Sequence, residues 1–392
     1  MNPDVLVVGQ VLTSRTETIA EYFKYKSHRL AVIGLAGIRQ RSAVEFSLHE
    51  NGVLMNFHSF LGTIVGGSLW YHQLLIAAHY LLQFFFAFYS IARLRMRFHF
   101  VIGISTFGAT IGILLKQMRF VEHTVYYSID YPLQRHPLSI LYRVLDRFCA
   151  ENSDVVWNLS PAISRARRAN NNDLKIPAEI IAPLTYSSKL LILKPLDKIE
   201  RWTIAFVGTL DRLQGLQLLI EAMPEILKHL PNVIVKVIGD GPYAGELKRL
   251  VKESGLDEHF VFHGFLRKDS DMINIISRCA IGVAPFIPTP ENNALTADPG
   301  KPKLYTFLGL PVIITKIPSG LLIDRKGAGI AIDYTSHEFA NAVIKLLQDD
   351  QTLIEYRQNA NLFAQSYTSE RIFTSVLKTT LKHFRNNMKQ KN

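Results

Sequence analysis

Short apolar runs alternate with amphipathic segments through the second half of the chain. The runs are rich in β-branched residues and carry almost no charge, whereas the segments between them place apolar residues three and four positions apart. This pattern predicts strands that alternate with helices in a parallel sheet whose two faces are both covered. The predicted strands are 203–207, 233–238, 260–262, 281–284 and 312–315, and the predicted helices are 217–229, 243–254, 271–278 and 303–308.

The first half of the chain shows a similar alternation, with one unusual segment. Between Asn51 and Ala92 there is no Asp, Glu, Lys or Arg, and residues 74–92 approach the ~20 apolar residues that span a bilayer. His79 and Gln83 near its centre argue against a span. Three alternatives stay open: a buried core helix, a helix on a membrane surface, or a true span. The predicted strands are 5–8, 30–35, 98–104, 124–129 and 155–159, and the predicted helices are 18–25 and 139–152.

The length of 392 residues favours two domains, because single hydrophobic cores seldom grow this large. Residues 182–198 show no clear period and contain two prolines, so we place the linker there. The expected organisation is a first domain at 1–185, a second domain at 186–365, and a final helix with a basic tail at 366–392.

The net charge of +11 limits the classes of binding partner that we expect. Basic runs lie at 93–97, 165–168 and 382–391, and none alternates with stacking aromatic residues as in nucleic-acid modules. We therefore expect no nucleic acid, and an anionic membrane surface or a phosphorylated small molecule instead. The first residues lack the basic start of a signal peptide, so the expected location is cytoplasmic, including the periphery of the inner membrane face.

Glycine-containing turns follow three successive predicted strands of the second half. They contain Gly208 and Gly215, then Gly239 and Gly241, then His263-Gly264. Glycine lets a backbone approach an anion closely, and a helix that starts behind such a turn offers free N–H groups to phosphate. Each turn alone also fits an ordinary strand–helix connection.

The three turns in this order, with Ala284-Pro285-Phe286 and the segment 298–313, resemble the donor half of family 4 glycosyltransferases over residues 201–335. The resemblance implies an α/β protein of the GT-B fold: two Rossmann-like domains that face a cleft, with C-terminal helices that cross back to the first domain. It implies that residues 1–185 bind the acceptor and that residues 186–365 bind a nucleotide sugar.

The resemblance also implies the donor site, with departures. Asp298 and Thr306 stand where the family has two glutamates that contact the sugar and the ribose, and Thr209 and Gln214 replace its arginine and lysine. Replacement cations near the diphosphate are expected, because buried phosphate needs them; among these Lys303 is preferred. The predicted donor-binding residues are Gly208, Thr209, Arg212, Gly239, Gly241, His263, Asp298, Lys301, Lys303 and Thr306.

On the acceptor side, Tyr126 to Tyr131 resembles a segment seen in some of these transferases and places Asp130 just after a strand. Asp130 is the candidate catalytic residue, to accept the proton of the acceptor hydroxyl or to position it; the alternative is that it caps the turn before Pro132. Gly9 and Gln10 are expected to shape the acceptor side. Asp269-Ser270-Asp271 has the Asp-x-Asp spacing of a metal site, but we expect helix N-caps there and neither metal nor cofactor.

The expected function is transfer of a sugar from a nucleotide diphosphate sugar to a hydroxyl of a glycan or lipid-linked acceptor, without metal and with retention of configuration. Two alternatives stay open. One is a sugar-nucleotide epimerase of the same fold, and the other is a non-catalytic GT-B-fold protein that binds a glycan or a partner.

Overall fold

The computed structural model describes residues 2–10, 14–35, 43–61, 72–132, 137–171, 173–295 and 297–391. They form two units: residues 1–185 together with 369–392, and residues 186–368. The strands are β1 (Val5–Gln10), β2 (Arg29–Leu35), β3 (Ala43–Glu50), β4 (Val53–Leu61), β5 (Phe98–Ile104), β6 (Val121–Ser128), β7 (Val155–Asn158), β8 (Glu179–Ile181), β9 (Glu200–Val207), β10 (Ile234–Ile238), β11 (Phe260–Gly264), β12 (Cys279–Ala284), β13 (Val312–Thr315) and β14 (Gly329–Ile332). The helices are α1 (Ser14–Lys24), α2 (His72–Leu94), α3 (Ser105–Gln117), α4 (Pro137–Asn152), α5 (Pro161–Ala169), α6 (Leu216–His229), α7 (Ala244–Glu253), α8 (Asp269–Ile276), α9 (Gly300–Phe307), α10 (Pro318–Arg325), α11 (Ser336–Gln348), α12 (Asp350–Gln365) and α13 (Ser369–Lys391).

The first unit is built on a sheet with the strand order β4-β3-β2-β1-β5-β6-β7-β8. All neighbours pair in parallel except β2 with β3 and β3 with β4, which are antiparallel. The predicted β-α-β opening is present, whereas the strands β3 and β4 at the sheet edge were not predicted. The chain reverses its direction of travel across the sheet between β1 and β5, which makes their carboxyl ends the place where such sheets bind ligands.

A buried ion pair crosses the first unit beneath its strand ends. The guanidinium of Arg167 donates to both carboxylate oxygens of Asp146 at 2.6 and 3.0 Å, and both side chains are fully buried. The Tyr126 hydroxyl donates to the same carboxylate at 2.6 Å, and Arg167 also donates to Ser128 and Asn158. Helices α4 and α5 and strands β6 and β7 are thereby linked by charge-assisted hydrogen bonds.

The last helix, α13, belongs to the first unit. The indole N–H of Trp157 donates to the hydroxyl of Thr380 at 2.9 Å, and the ring of His123 stacks on Phe384 at 4.2 Å between centroids. These contacts join residues more than 200 positions apart in the sequence. The first unit is therefore completed only when the end of the chain has returned to it.

The second unit is built on an all-parallel sheet with the strand order β11-β10-β9-β12-β13-β14. All nine elements predicted for residues 203–315 are present, with ends shifted by a few residues. Residues 203–207 of β9 and all of β12 and β13 are buried on both faces, which explains their uncharged sequences. The chain changes direction between β9 and β12, so the carboxyl ends of these two strands flank the switch point of this sheet.

One expectation about local structure needs correction. Asp269 and Asp271 do not act as N-caps: the cap of α8 is Lys268, without a side-chain cap bond, and both aspartates lie in the first turn, where they complement the helix dipole. Residues 74–92 lie in α2, and no helix among the described residues is long and apolar enough to cross a membrane. Helix α2 buries Ala87 and Ile91 against the sheet.

Asp146→Ala should destabilise the protein by about 3–5 kcal/mol, because it leaves the buried Arg167 guanidinium without its carboxylate. Urea unfolding monitored by circular dichroism measures this. The matched control is Asp173→Ala, which removes the carboxylate from an exposed pair with Arg147 and should cost less than about 1 kcal/mol. Equal losses in the two variants would contradict a structural role of the buried pair.

Candidate functional site

The three glycine turns of the second unit are in direct contact at the carboxyl edge of its sheet. The N–H of Gly208 donates to the carbonyl of Ile238 at 3.0 Å, and the N–H of Gly239 donates to the carbonyl of Gly264 at 2.8 Å. Gly239 has a φ of 133°, and a Cβ added there would lie 1.9 Å from the carbonyl oxygen of Gly208. Only glycine fits at this position, and the turns after β9, β10 and β11 therefore form one surface.

Lys301 lies at the switch point between β9 and β12. Its ammonium stands 4.2 Å from the ring centroid of Phe206 on β9 and 4.7 Å from that of Phe286, just after β12. A Cβ added to Gly208 would be 3.6 Å from the Lys301 Nζ, so the ammonium lies directly against the first glycine turn. The side chain starts from the first turn of α9, an end of a helix that disfavours positive charge.

The ammonium of Lys301 is buried and has no hydrogen-bond partner among the described residues. Burial lowers the pKa of Lys301 to about 7, because the charged form loses hydration that the two aromatic faces replace only in part. A group of this kind gains most from an anion, which would restore the missing hydrogen bonds and favour the ammonium form.

Lys303 is also buried, but its charge is compensated. Its ammonium donates to the carboxylate of Asp298 and lies 4.0 Å from the ring centroid of Tyr367. Burial lowers the pKa of Lys303, and the Asp298 carboxylate opposes this effect. The predicted sugar contact and the preferred predicted cation therefore form an ion pair with each other. Thr306 is fully buried, and its hydroxyl donates to the carbonyl of Lys303 at 2.8 Å; its predicted ribose contact stays a prediction.

The other predicted donor residues lie around the glycine turns. Thr209 and Arg212 are exposed in the loop after β9, and Gly241 packs against the backbone of Leu210 in that loop. His263, near the end of β11, has a buried Nε2 without a partner among the described residues. Burial and the positive charge of Lys236 lower the pKa of His263, so a neutral imidazole is expected near pH 7.

In the first unit, Asp130 follows β6 and is exposed to solvent. The hydroxyl of Tyr142 on α4 donates to its carboxylate at 2.5 Å. Burial and the Asp130 carboxylate raise the pKa of Tyr142 well above its usual value, so this hydroxyl keeps its proton. The Asp130 carboxylate is thus held by a side chain, and both its catalytic role and the turn-capping alternative stay predictions.

Gly9 and Gln10 end β1, at the switch point of the first sheet. A Cβ added to Gly9 would lie 2.6 Å from Thr16 Oγ1 and 2.9 Å from Ile104 Cδ1, so glycine is required by packing. The side chain of Gln10 lies outside the described residues. Ser105, the first residue of α3 on the neighbouring strand end, has a φ of 63°, a left-handed conformation that is uncommon for serine.

Sequence reasoning missed several residues at these sites. Phe206 lies in a predicted strand and Phe286 in the loop after another, and their role beside Lys301 has no local signal because they are 80 positions apart in the sequence. Tyr142 was assigned to a helix without a contact to Asp130. The positive φ of Ser105 has no signal in its residue type.

The second unit also matches a known sequence family. Residues 201–349 match the family model of glycosyl transferases group 1, a range that includes the glycine turns and Lys301. This matching range, residues 201–349, is called the group 1 domain below. D-inositol 3-phosphate glycosyltransferase of Corynebacterium glutamicum (strain R) is 26% identical over 176 residues, which cover 42% of this chain and 40% of that protein. Three curated relatives are matched over only 16%, 40% and 17% of their own lengths.

Solved structures extend the similarity beyond the group 1 domain. Anabaena HepE in complex with UDP superposes with a TM-score of 0.65 at 14% identity, covering 97% of this chain and 100% of that one. Sucrose-phosphate synthase from Thermosynechococcus elongatus gives a TM-score of 0.69 at 15% identity, covering 98% and 100%. The chain therefore has the GT-B fold that the sequence predicts.

Among the described residues, no group of three or more His, Cys, Asp or Glu side chains is arranged to hold a metal ion. Metal-independent donor binding stays a prediction for the group 1 domain.

Stability of the ligand-free protein should depend on pH through Lys301. The unfolded lysine titrates at 10.5 and the folded one at about 7, so between these values the unfolded state binds more protons and stability rises with pH. Lys301→Met should remove the contribution of one titrating proton from the slope of unfolding free energy against pH. It should also stabilise the protein by about 1–3 kcal/mol at pH 6, where the folded protein carries the full cost of burying the ammonium. Urea unfolding at pH 6, 7.5 and 9 measures both effects; an unchanged slope would show that Lys301 is solvated.

Proposed function

We propose that this protein transfers a sugar from a nucleotide diphosphate sugar to a hydroxyl group of a glycan or lipid-linked acceptor. The observation that carries this proposal is the buried, unpartnered ammonium of Lys301 at the switch point of the group 1 domain. A cation without a counter-ion at the ligand-binding edge of a doubly wound sheet has the chemistry of a phosphate site. The UDP bound to HepE, a protein of the same fold, supports a nucleoside diphosphate as the ligand.

The donor diphosphate is assigned to Lys301 and the turn at Gly208, with the first backbone N–H groups of α9 as further donors. This arrangement compensates the phosphate charge through protein groups, which is the basis for proposing a metal-independent reaction. The Lys303–Asp298 pair is assigned to the sugar hydroxyls, since both a donor and an acceptor are then available. Retention of configuration is carried over from the family resemblance.

On the acceptor side, Asp130 is proposed to accept the proton of the attacking hydroxyl. Its exposure leaves the carboxylate accessible to a substrate, and the hydrogen bond from Tyr142 fixes the orientation of the carboxylate. Gly9 and Gln10 are proposed to line the acceptor side. An anionic membrane surface is proposed as the partner that presents a lipid-linked acceptor.

Lys301→Met should weaken binding of UDP or GDP by about 10- to 100-fold, the usual effect of removing a charged hydrogen-bond donor. At pH 8 the protein should also take up about one proton when the nucleotide binds, because the ligand converts neutral Lys301 into its ammonium form. Calorimetric titration in buffers with different ionisation enthalpies measures affinity and proton uptake together.

The matched control is Lys316→Met, which removes an exposed lysine of the same unit and should change neither quantity. If Lys301→Met kept full affinity while Lys303→Met lost it, the phosphate role would pass to Lys303. If no nucleoside diphosphate bound to the unaltered chain, the transferase proposal would fail in favour of a non-catalytic protein.

Asp130→Asn should lower the rate of sugar transfer by about 10²- to 10⁴-fold, because the amide cannot accept the hydroxyl proton. Affinity for the nucleotide should stay unchanged, since Asp130 is not part of the donor site. Turnover is measured with the sugar nucleotide that binds in the titrations, and Asp173→Asn serves as the control. Normal turnover of Asp130→Asn would reduce this aspartate to a structural residue, and interconversion of the sugar without any acceptor would indicate an epimerase.

A further inference from the structure

Helix α4 presents a wide apolar face to solvent. Five large apolar side chains on this face are between 38% and 61% exposed, although they occupy successive turns of a single helix. The opposite face of α4 buries Cys149, Ala150 and Asp146 in the first unit. An exposed row of this size is uncommon on a protein that has no binding partner there. The exposed residues are Ile140, Leu141, Val144, Leu145 and Phe148.

Helix α2 carries a second exposed apolar row on the same side of the sheet. Leu82, Phe85 and Tyr89 are 58–63% exposed and lie three and four positions apart, so they form one stripe. Helices α2 and α4 both pack against α3, which connects the neighbouring strands β5 and β6. The two rows therefore flank α3 on one helical layer of the first unit.

Arginines border these rows at one end of the layer. Arg93 lies in the last turn of α2, and Arg95 and Arg97 follow the helix at alternate positions; all three are exposed and form no ion pair with any described residue. The N–H of Phe98 donates to the carbonyl of Phe120, which brings the end of α3 beside them. The guanidinium groups are thus free to contact anions beside an apolar surface.

We propose that this surface docks onto an anionic phospholipid bilayer. The docking face comprises the exposed apolar rows of α2 and α4 and the three arginines at 93, 95 and 97. Apolar side chains on an amphipathic helix enter the boundary between headgroups and acyl chains, and arginines beside them bind the lipid phosphates. The net charge of +11 adds a general attraction to such a membrane.

Lipid is favoured over a second copy of the chain by this charge. A two-fold contact through the docking face would bury six guanidinium groups in one interface, and none of the residues that define the face is a carboxylate that could neutralise them. The proposal rests on the proposed membrane partner, but lipid binding does not require sugar transfer. A failure of one is therefore distinguishable from a failure of the other.

The test is co-sedimentation of the full chain with vesicles of phosphatidylcholine alone or mixed with phosphatidylglycerol. Strong binding to the mixed vesicles and weak binding to the neutral ones is the expected result, with binding reduced by salt. Leu141→Gln combined with Val144→Gln should lower the partition coefficient at least about tenfold at low and high salt, because two exposed aliphatic side chains no longer insert. Arg93→Gln combined with Arg97→Gln should lower it mainly at low salt.

The matched controls lie in the second unit: Leu362→Gln, a leucine of similar exposure, and Arg325→Gln combined with Lys326→Gln. Both should bind vesicles as the unaltered chain does, and all variants should unfold at the same temperature because the changed side chains are exposed. The proposal is overturned if the chain does not sediment with anionic vesicles, or if the α4 variant binds them normally. It is also overturned if sedimentation velocity shows a lipid-free dimer that the α4 variant converts to monomer, which would assign the face to a second copy.

Discussion

The burial of a positive charge without a counter-ion is the constraint around which the group 1 domain is arranged. Lys301 is held between two aromatic rings at the switch point of the sheet, and it lies against a turn where glycine removes the side chain that would separate them. Desolvation of an ammonium costs several kcal/mol, and cation–π contacts return about 2 kcal/mol of it. The remainder is available to any anion that enters, so the ligand-free site is biased towards phosphate.

Other buried cations show that this arrangement is specific to one place. Arg167 is paired with Asp146, Lys303 is paired with Asp298, and Arg357 donates to three backbone carbonyls. The hydrogen-bond donors of each of these side chains find acceptors within the same unit, so these cations contribute to the fold. Lys301 differs because its ammonium lies against two aromatic rings and has no hydrogen-bond partner among the residues that the structure describes. Comparison of how buried charges are compensated therefore separates a binding group from structural ones where residue type alone does not.

The fold of the second unit was predictable because its central strands β9, β12 and β13 are largely buried on both faces, and because segments with a clear helical period separate its strands. The site was predictable only in part. The glycine turns have a local signal in the sequence. The two lysines differ in this respect: Asp298 lies close to Lys303 in sequence, whereas Phe206 and Phe286 reach Lys301 through the pairing of β9 with β12. Sequence reasoning therefore preferred the lysine that proves to be neutralised.

The first unit was harder to predict because its apolar helices contact both the protein core and solvent. Helix α2 is apolar on the face that packs against the sheet and also on the face that meets solvent, so its composition alone does not separate a buried helix from a bilayer span. Helix α4 shows the same property with a polar residue, Asp146, on its buried face. Burial of Asp146 requires Arg167, and this pair lets α4 turn an apolar row outward. The buried charge pair and the exposed apolar face are thus two consequences of one helix orientation.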